Sequence, residues 1–420
     1  MNRQNKMRLQ EKKAVREANY PGNSKVPSNG GKVGQNRMKS PAPHSQSSAT
    51  DTLIRVRGGV DRPFLFLVIC LVCFGSVMIF SASFVYARSK YDDSLYFIRS
   101  QILWVLLGVA AMLVVMQFDY RLIKKYIALP AFCASYLLLA AVPIIGTSVR
   151  GAKRWITIGP MTIQPSEVMK FALILILALY ISKFKDRMKT FKYGIFFPFC
   201  LLGLVCVTTA IEKHMSGTII LFAIGVCVIF IGGANIRWLM GLFGVGAAGA
   251  GYIILFTNYT KARVDSWLHP ELYTDSGAWQ VLNSLYAIGS GGFLGVGLGN
   301  SREKYLYLPD PQNDFIYAIV CEELGFIGAI TVIVLFALLV WRGFVIAMNA
   351  PDTFSSVVAF GIMAQVAIQT ILNIAVVTAS IPATGISLPF FSYGGSSLFM
   401  LMIEMGAMLA ISRYSYQTRT

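Results

Sequence analysis

Asp314 is the side chain that a reaction would use first. It stands in Leu308-Pro309-Asp310-Pro311-Gln312-Asn313-Asp314-Phe315, where two prolines hold an extended approach and a long polar connection meets an apolar run. A carboxylate there either caps the helix that follows or, partly desolvated at the lip of a membrane, titrates in the range of a usable general base. The nearest candidates for anion binding are Arg150, Lys153 and Arg154, with no acid before Glu167. Such a loop either grips the phosphate oxygens of a lipid-linked substrate or snorkels among headgroups and pairs with Glu167. In Gln164-Pro165-Ser166-Glu167, Ser166 can serve as an N-cap and Glu167 offsets the helix dipole. Lys170 shares a face with Glu167, as a structural pair or as part of a site. Arg263 adds a cation to the same rim. The three histidines, His44, His214 and His269, are too scattered for a multi-histidine zinc site, and no Ser-His-Asp spacing can be defended.

The elements that must carry these residues belong to a membrane. Of the 420 residues 55% are hydrophobic and only 14% charged, with a mean hydropathy of +0.60, too little polar surface for a water-soluble globule of this size. That composition also excludes a disordered chain and a disulfide scaffold. All seven cysteines lie in apolar stretches, so Cys70-x-x-Cys73 reads as packing or lipid contact before it reads as redox or metal chemistry. Neither a Walker A sequence nor a dinucleotide fingerprint occurs, and no nucleotide is expected. The run Gly289, Gly291, Gly292, Gly295, Gly297, Gly299 has no strand before it and reads as a tight loop.

Residues 1–62 form a basic, Ser-, Gly- and Pro-rich block, read as a disordered cytoplasmic tail whose positive charge sets topology rather than binding nucleic acid. Its apolar neighbour starts too late to be a cleavable signal and remains as a span. Ten apolar runs follow, near 64–84, 99–117, 128–145, 166–181, 194–210, 217–232, 238–256, 315–341, 354–380 and 393–411. The fold class is therefore all-α: a polytopic bundle of ten transmembrane helices over 63–411, with a short C-terminus at 412–420. With the tail inside, the cytoplasmic segments carry 25 of the 37 basic residues, which puts both termini in the cytoplasm. The loops near 146–165, 210–217, 257–314 and 381–392 then lie outside, and the chemistry is extracytoplasmic.

Four further features need positions. Glu322 and Glu323 sit about two turns, roughly 12 Å, beyond Asp314, and they and Glu404 are either hydrogen-bond partners in the bundle or part of a substrate or ion path. Trp279, Leu282, Leu285, Tyr286 and Ile288 recur at helical spacing, which predicts a short helix lying flat at the membrane surface. Pro382, Gly385, Pro389 and Ser392 to Ser397 break the apolar pattern and line a cavity. Gln365, Gln369 and Asn373 form one stripe, as glue between helices of this chain or as a surface for a partner helix.

Several segments together resemble the SEDS family of bacterial cell-wall proteins. They are Gly151-Ala152-Lys153-Arg154-Trp155, Gln164 to Glu167 with Lys170, Ala287 to Gly292, Leu308-Pro309 leading to Asp314-Phe315-Ile316, Glu322 to Gly325, and Pro382 to Gly385 through Leu388-Pro389 to Ser392-Tyr393-Gly394-Gly395-Ser396. Gly299-Asn300-Ser301 before Lys304-Tyr305 looks more like the division and sporulation members, FtsW and SpoVE, than the elongation member RodA. The resemblance implies a ten-helix peptidoglycan glycosyltransferase of the bacterial cytoplasmic membrane that polymerises lipid II on its outer face. It implies a class B penicillin-binding protein as partner, among other divisome or elongation membrane proteins, and no nucleic acid. The family's essential aspartate falls on Asp314. Lys153, Arg154, Trp155, Gln164, Glu167, Lys170, Arg263 and Ser396 are the implied substrate contacts, with a divalent cation, Mg or Mn, as a candidate helper. Two departures stand out: Asp310-Pro311-Gln312-Asn313 before Asp314, and His214 where many members carry Asp.

The residues suit that chemistry on independent grounds. Displacing an α-linked diphosphate to make a β-linked sugar inverts the anomeric carbon, so one base deprotonates the attacking 4-hydroxyl while cations take up the leaving group's charge. A diphosphate leaves as an anion, so the second carboxylic acid of a glycosidase is dispensable. Two competing readings use the same residues: a flippase of lipid-linked precursors with Glu322, Glu323 and Glu404 along its path, and a non-catalytic divisome scaffold recruiting through the Gln365, Gln369 and Asn373 stripe.

Overall fold

The fold is taken from a computed structural model that describes residues 59–414 apart from 150–151, 159–160, 213, 243, 245–266 and 269–276. The basic tail up to residue 58, Arg150, Arg263 and His269 lie outside the described residues. The bundle is built from α1 (Arg62–Tyr91), α2 (Tyr96–Gln117), α3 (Tyr120–Ile145), α4 (Pro165–Phe184), α5 (Lys192–Ile211), α6 (Met215–Ile231), α8 (Ile316–Met348), α9 (Thr353–Val377) and α10 (Gly395–Ser412). A separate helix, α7 (Gly277–Gly291), precedes α8. Nine of the ten expected spans are thus helices among the described residues. Residues 236–242 begin the seventh, whose remainder is not described. Seven of the helices are long and apolar enough to cross a membrane. Glu167, Lys170 and Lys183 lower the apolarity of α4, and α6 has 17 residues.

Local chemistry explains the helix starts and bends. The Asp61 carboxylate accepts from the Phe64 amide at 3.0 Å, with Pro63 in the first turn of α1. Asp352 and Ser355 form a capping box at the start of α9. Both starts carry interhelical ion pairs: Arg342 of α8 to Asp61 at 2.8 Å, and Lys124 of α3 to Asp352 at 3.0 Å. α3 and α5 each include a π-helical turn, Ile123–Ile127 and Lys192–Phe196, which shifts the face that the following apolar residues present.

The helical class needs one addition. The loop between α3 and α4 folds as a three-stranded antiparallel sheet, β1 (Thr147–Val149), β2 (Ala152–Ile158) and β3 (Met161–Ile163), with Thr147 opposite Trp155 and Ile156 opposite Ile163. Alternation along β2 sends Ile156 into the protein and leaves Lys153 and Thr157 exposed.

Two sequence expectations are corrected by the geometry. Ser166 does not cap α4. Pro165, with its fixed φ, already occupies the first helical position, Gln164 stands at the cap without a side-chain bond, and Ser166 is buried. Nor does α7 lie flat. Its buried face is the small-residue stripe Ala278, Val281, Ser284, Ala287, which packs against α8 while Leu285 and Tyr286 point outward. Ser284 donates to the Val377 carbonyl at 2.9 Å, so a helix chosen for its bulky stripe docks through its small one.

Candidate active site

Asp314 sits half-buried in a turn just before α8. It does not cap that helix, because Phe315 occupies the cap position and no side chain bonds the first turn. Three parts of the chain hold it instead. Asn373, near the C-terminal end of α9 and fully buried, donates from one Nδ2 to the Asp314 carbonyl at 2.7 Å and to the Ile386 carbonyl at 2.7 Å. The Tyr393 amide donates to the Gln312 carbonyl at 2.9 Å. Trp279 and Asn283 of α7 both donate to the Tyr307 carbonyl, at 3.1 and 2.9 Å. The turn bearing Asp314 is therefore held through its backbone at these points.

Gly385 lies against that carboxylate. A Cβ at this position would approach Asp314 Oδ2 to 3.3 Å, and its φ of +68° is left-handed. Gly385→Ala is expected to add about 1–2 kcal/mol of backbone strain and to crowd the carboxylate. The measured result should be a turnover reduced well beyond any loss of folded protein, read against the melting temperature in detergent.

Below this turn lies a small polar cavity of about 10 Å³, room for about one water, lined among others by Glu167, Lys170, Gln365, Gln369, Ser387 and Glu404. Asp314 is not in its lining. The carboxylate adjoins Gly385, two residues from Ser387. Lys170 is buried and pairs with Glu167 at 2.9 Å. Glu404 is fully buried, and both its oxygens accept from Gln365 Nε2, at 3.0 and 2.8 Å. The Gln365 and Asn373 stripe is thus spent inside the chain, on Glu404 and on the Asp314 turn.

The sheet divides the basic loop. Lys153 is exposed and its ammonium donates to the Pro143 carbonyl at 3.1 Å, whereas Arg154, on the other face of β2, lies near Glu212 and His214. Trp155 is half-buried, and its carbonyl accepts from the Thr147 hydroxyl. Gln164 Nε2 reaches His214 Nε2 at 3.5 Å. Ser396 is buried in the first turn of α10, beside the Ser397 that lines the cavity. The structure gathers Arg154, Gln164, Glu167 and Lys170 on one side of this end of the bundle and leaves Lys153 exposed, while Arg263 lies outside the described residues.

Two members of this rim were not singled out as functional from sequence. Burial pushes the Glu212 carboxyl up to about 7, with Arg154 opposing. Burial and then Arg154 push the His214 imidazole down to about 4, so it is neutral at pH 7. A carboxyl raised on folding favours the folded state below its unfolded value, and that advantage is lost as pH rises through about 7. Glu212→Gln stays neutral throughout. Its melting temperature relative to the parent protein should climb between pH 5 and pH 8, and parallel curves would remove the shift.

Among the described residues no group of three or more His, Cys, Asp or Glu side chains could hold a metal ion. A Mg2+ ion held by one or two carboxylates together with substrate phosphates would need no such group, and the chemistry proposed for the site is derived from its side chains.

Residues 62–417 match a family model described as Cell cycle protein, covering FtsW, RodA and SpoVE. The chain is 42% identical over 362 residues to Stage V sporulation protein E of Bacillus subtilis (strain 168), covering 84% of this chain and 97% of that one. It is 37% identical over 357 residues to the probable peptidoglycan glycosyltransferase FtsW of Geobacter sp. (strain M18), with 84% and 97% covered. Among solved structures it resembles a chain of a peptidoglycan synthase complex that coordinates polymerization and crosslinking, with a TM-score of 0.71 and 26% identity over 85% of this chain and 99% of the other. The rod shape determining protein RodA of Thermus thermophilus gives a TM-score of 0.63 at 26% identity, covering 85% and 98%.

Proposed function

The chain belongs to the FtsW, RodA and SpoVE family of cell cycle proteins, and we propose that it is a peptidoglycan glycosyltransferase that polymerises lipid II at the outer mouth of its helical bundle. The observation that carries the reading is the backbone clamp on Asp314, which holds a single carboxylate at the outer end of α8 with Gly385 against it. A general base needs fixed geometry before it needs a shifted pKa. Asp314 takes the proton of the acceptor sugar's 4-hydroxyl, or orients the group that does. The oxygen then attacks the anomeric carbon of the donor and the polyprenyl diphosphate leaves. Arg154, Lys170 and Arg263 take up that charge, with Lys153 guiding the diphosphate at the surface. The Lys170–Glu167 pair keeps the ammonium in place without neutralising the rest of the rim.

The outer location rests on the asymmetry of basic residues along the sequence. The resemblance to a complex that couples polymerization to crosslinking supports a crosslinking partner, a class B penicillin-binding protein, for this chain. The scaffold reading loses its surface, because Gln365 and Asn373 are buried and bonded within the chain. The deciding experiment is glycan polymerisation from purified lipid II by the full chain in proteoliposomes, with and without the transpeptidase. Polymer of increasing length is expected. Lipid translocation without polymer would favour a flippase and end the proposal.

A further inference from the structure

The segment after α7 is built for lipid rather than for water, although its place in the sequence is an extracytoplasmic loop. α7 and α8 run in the same direction. The α7 residues Trp279 and Asn283 are level with Tyr307, whereas its end, Gly291, abuts Cys321 and Glu322. The chain therefore descends beside α8, turns at residues 292–299 and climbs back toward Asp314. The turn is stitched to a break in α8 at Gly325, whose φ of +64° departs from the helix. The Val296 and Gly297 amides donate to the Glu322 and Glu323 carbonyls, each at 3.0 Å, and the Phe326 amide donates to the Gly292 carbonyl at 3.0 Å. The amides of Gly295 and Asn300 are bonded within the turn, to the Gly291 and Gly297 carbonyls. Backbone groups satisfied in this way are what non-helical chain requires at membrane depth.

Two polar clusters give the depth. On α8, Glu323 is 19 residues from Arg342, and along α1 Ser81 is 20 residues from Asp61. Ser81 donates to both Glu323 oxygens at 2.7 Å and Arg342 pairs with Asp61, so the two helices agree. At 1.5 Å per residue each interval is roughly 30 Å, one hydrocarbon thickness. The Asp61–Arg342 pair then marks the inner boundary and the Glu323 cluster the outer one. The turn lies at the outer boundary and just within it. There it exposes Phe293 at 66%, Leu294 at 75% and Leu298 at 54%, continuous with the outward-facing Phe326 and Ile327 of α8, and the Phe293 and Phe326 rings stack at 5.9 Å. Tyr286, Tyr305 and Tyr307 are exposed nearer the outer end, where aromatic residues favour headgroups.

We infer that residues 277–308 form a re-entrant hairpin whose tip, Phe293, Leu294 and Leu298, sits among the acyl chains of outer-leaflet phospholipid. Its polar root anchors the approach to Asp314 at a fixed membrane depth. The occupant is bulk phospholipid, because the tip continues the lipid-facing side of α8 without a polar rim between them.

The test places p-benzoylphenylalanine at Leu294, Leu298 and, as a headgroup-level control, Arg302, in the full chain in proteoliposomes of phosphatidylethanolamine and phosphatidylglycerol. Illumination should give several-fold more acyl-chain adduct from positions 294 and 298 than from 302, read by mass spectrometry. Equal, low lipid labelling at all three positions would overturn the inference, as would replacement of lipid adducts by crosslinks to a second protein when the transpeptidase is present. Three separate sites guard against one that fails to insert. The readout does not depend on polymerase activity, so its failure leaves the catalytic proposal standing.

Discussion

Asp314→Asn is expected to lower glycan polymerisation from purified lipid II by about 10²–10⁴-fold, the range contributed by a positioned general base. The substitution is nearly isosteric. The bonds that hold the turn run from Asn373 to the Asp314 carbonyl and from the Tyr393 amide to the Gln312 carbonyl, and neither uses the carboxylate. The variant should therefore keep both of these bonds and insert like the parent protein. The same geometry separates chemistry from binding. If the cations of the rim hold the diphosphate, as proposed, donor affinity should change far less than turnover. Full activity in Asp314→Asn would remove the base from the mechanism. A large loss of folded protein would instead show that the carboxylate stabilises the turn.

That contrast between backbone and side chain also explains what sequence could and could not give. The helices were legible because twenty or so apolar residues in a row have one stable conformation in a bilayer. Asp314 stands out as a candidate because a carboxylate at the junction of a polar loop and a span is costly and therefore conspicuous. What held Asp314 was not legible. Asn373 is 59 positions away, and nothing in its helical spacing distinguishes a donor to a distant carbonyl from glue between neighbouring helices. The docking face of α7 was misjudged for a related reason. In lipid the hydrophobic effect does not choose which apolar face is buried, so the small stripe Ala278, Val281, Ser284, Ala287 wins by close approach. The strand hairpin in the basic loop was hidden in a span read only for its charges, yet alternation along Lys153, Arg154, Trp155 and Ile156 is what sends Lys153 outward while Ile156 is buried. Glu322, Glu323 and Glu404 looked equivalent in sequence. Their partners separate them: Glu404 faces the cavity with Gln365, and the other two root the hairpin.

Lys304→Met should be the most damaging single change to stability, by about 3–5 kcal/mol, the usual cost of leaving a buried charge without its partner. The Lys304 ammonium donates to Glu323 Oε1 at 3.0 Å and to the Gly299 carbonyl, and the side chains of both partners in the ion pair are almost completely buried, at 4% and 0% exposure. Lys304 pairs with Glu323, and a second buried carboxylate, Glu322, is its neighbour in the chain. Glu323 is also bonded by Ser81, and Glu322 by the Ser301 hydroxyl and by the Arg302 amide at 2.7 Å. Hydroxyls and amides disperse negative charge but do not cancel it, so removing the lysine leaves two carboxylates together in a low dielectric. Exposure decides the contrast with Arg99 and Asp93, which pair at 2.8 Å with Arg99 68% exposed. Arg99→Met should cost at most about 1 kcal/mol. Adding Glu323→Gln to Lys304→Met removes one of the two uncompensated charges and should recover part of the loss, a coupling expected only of residues in direct contact. Melting temperatures of the parent, both single variants and the double variant in one detergent close the cycle. A Lys304→Met protein that melts with the parent would mean that water reaches the root of the hairpin, and the depth assigned to the Glu323 cluster would be wrong.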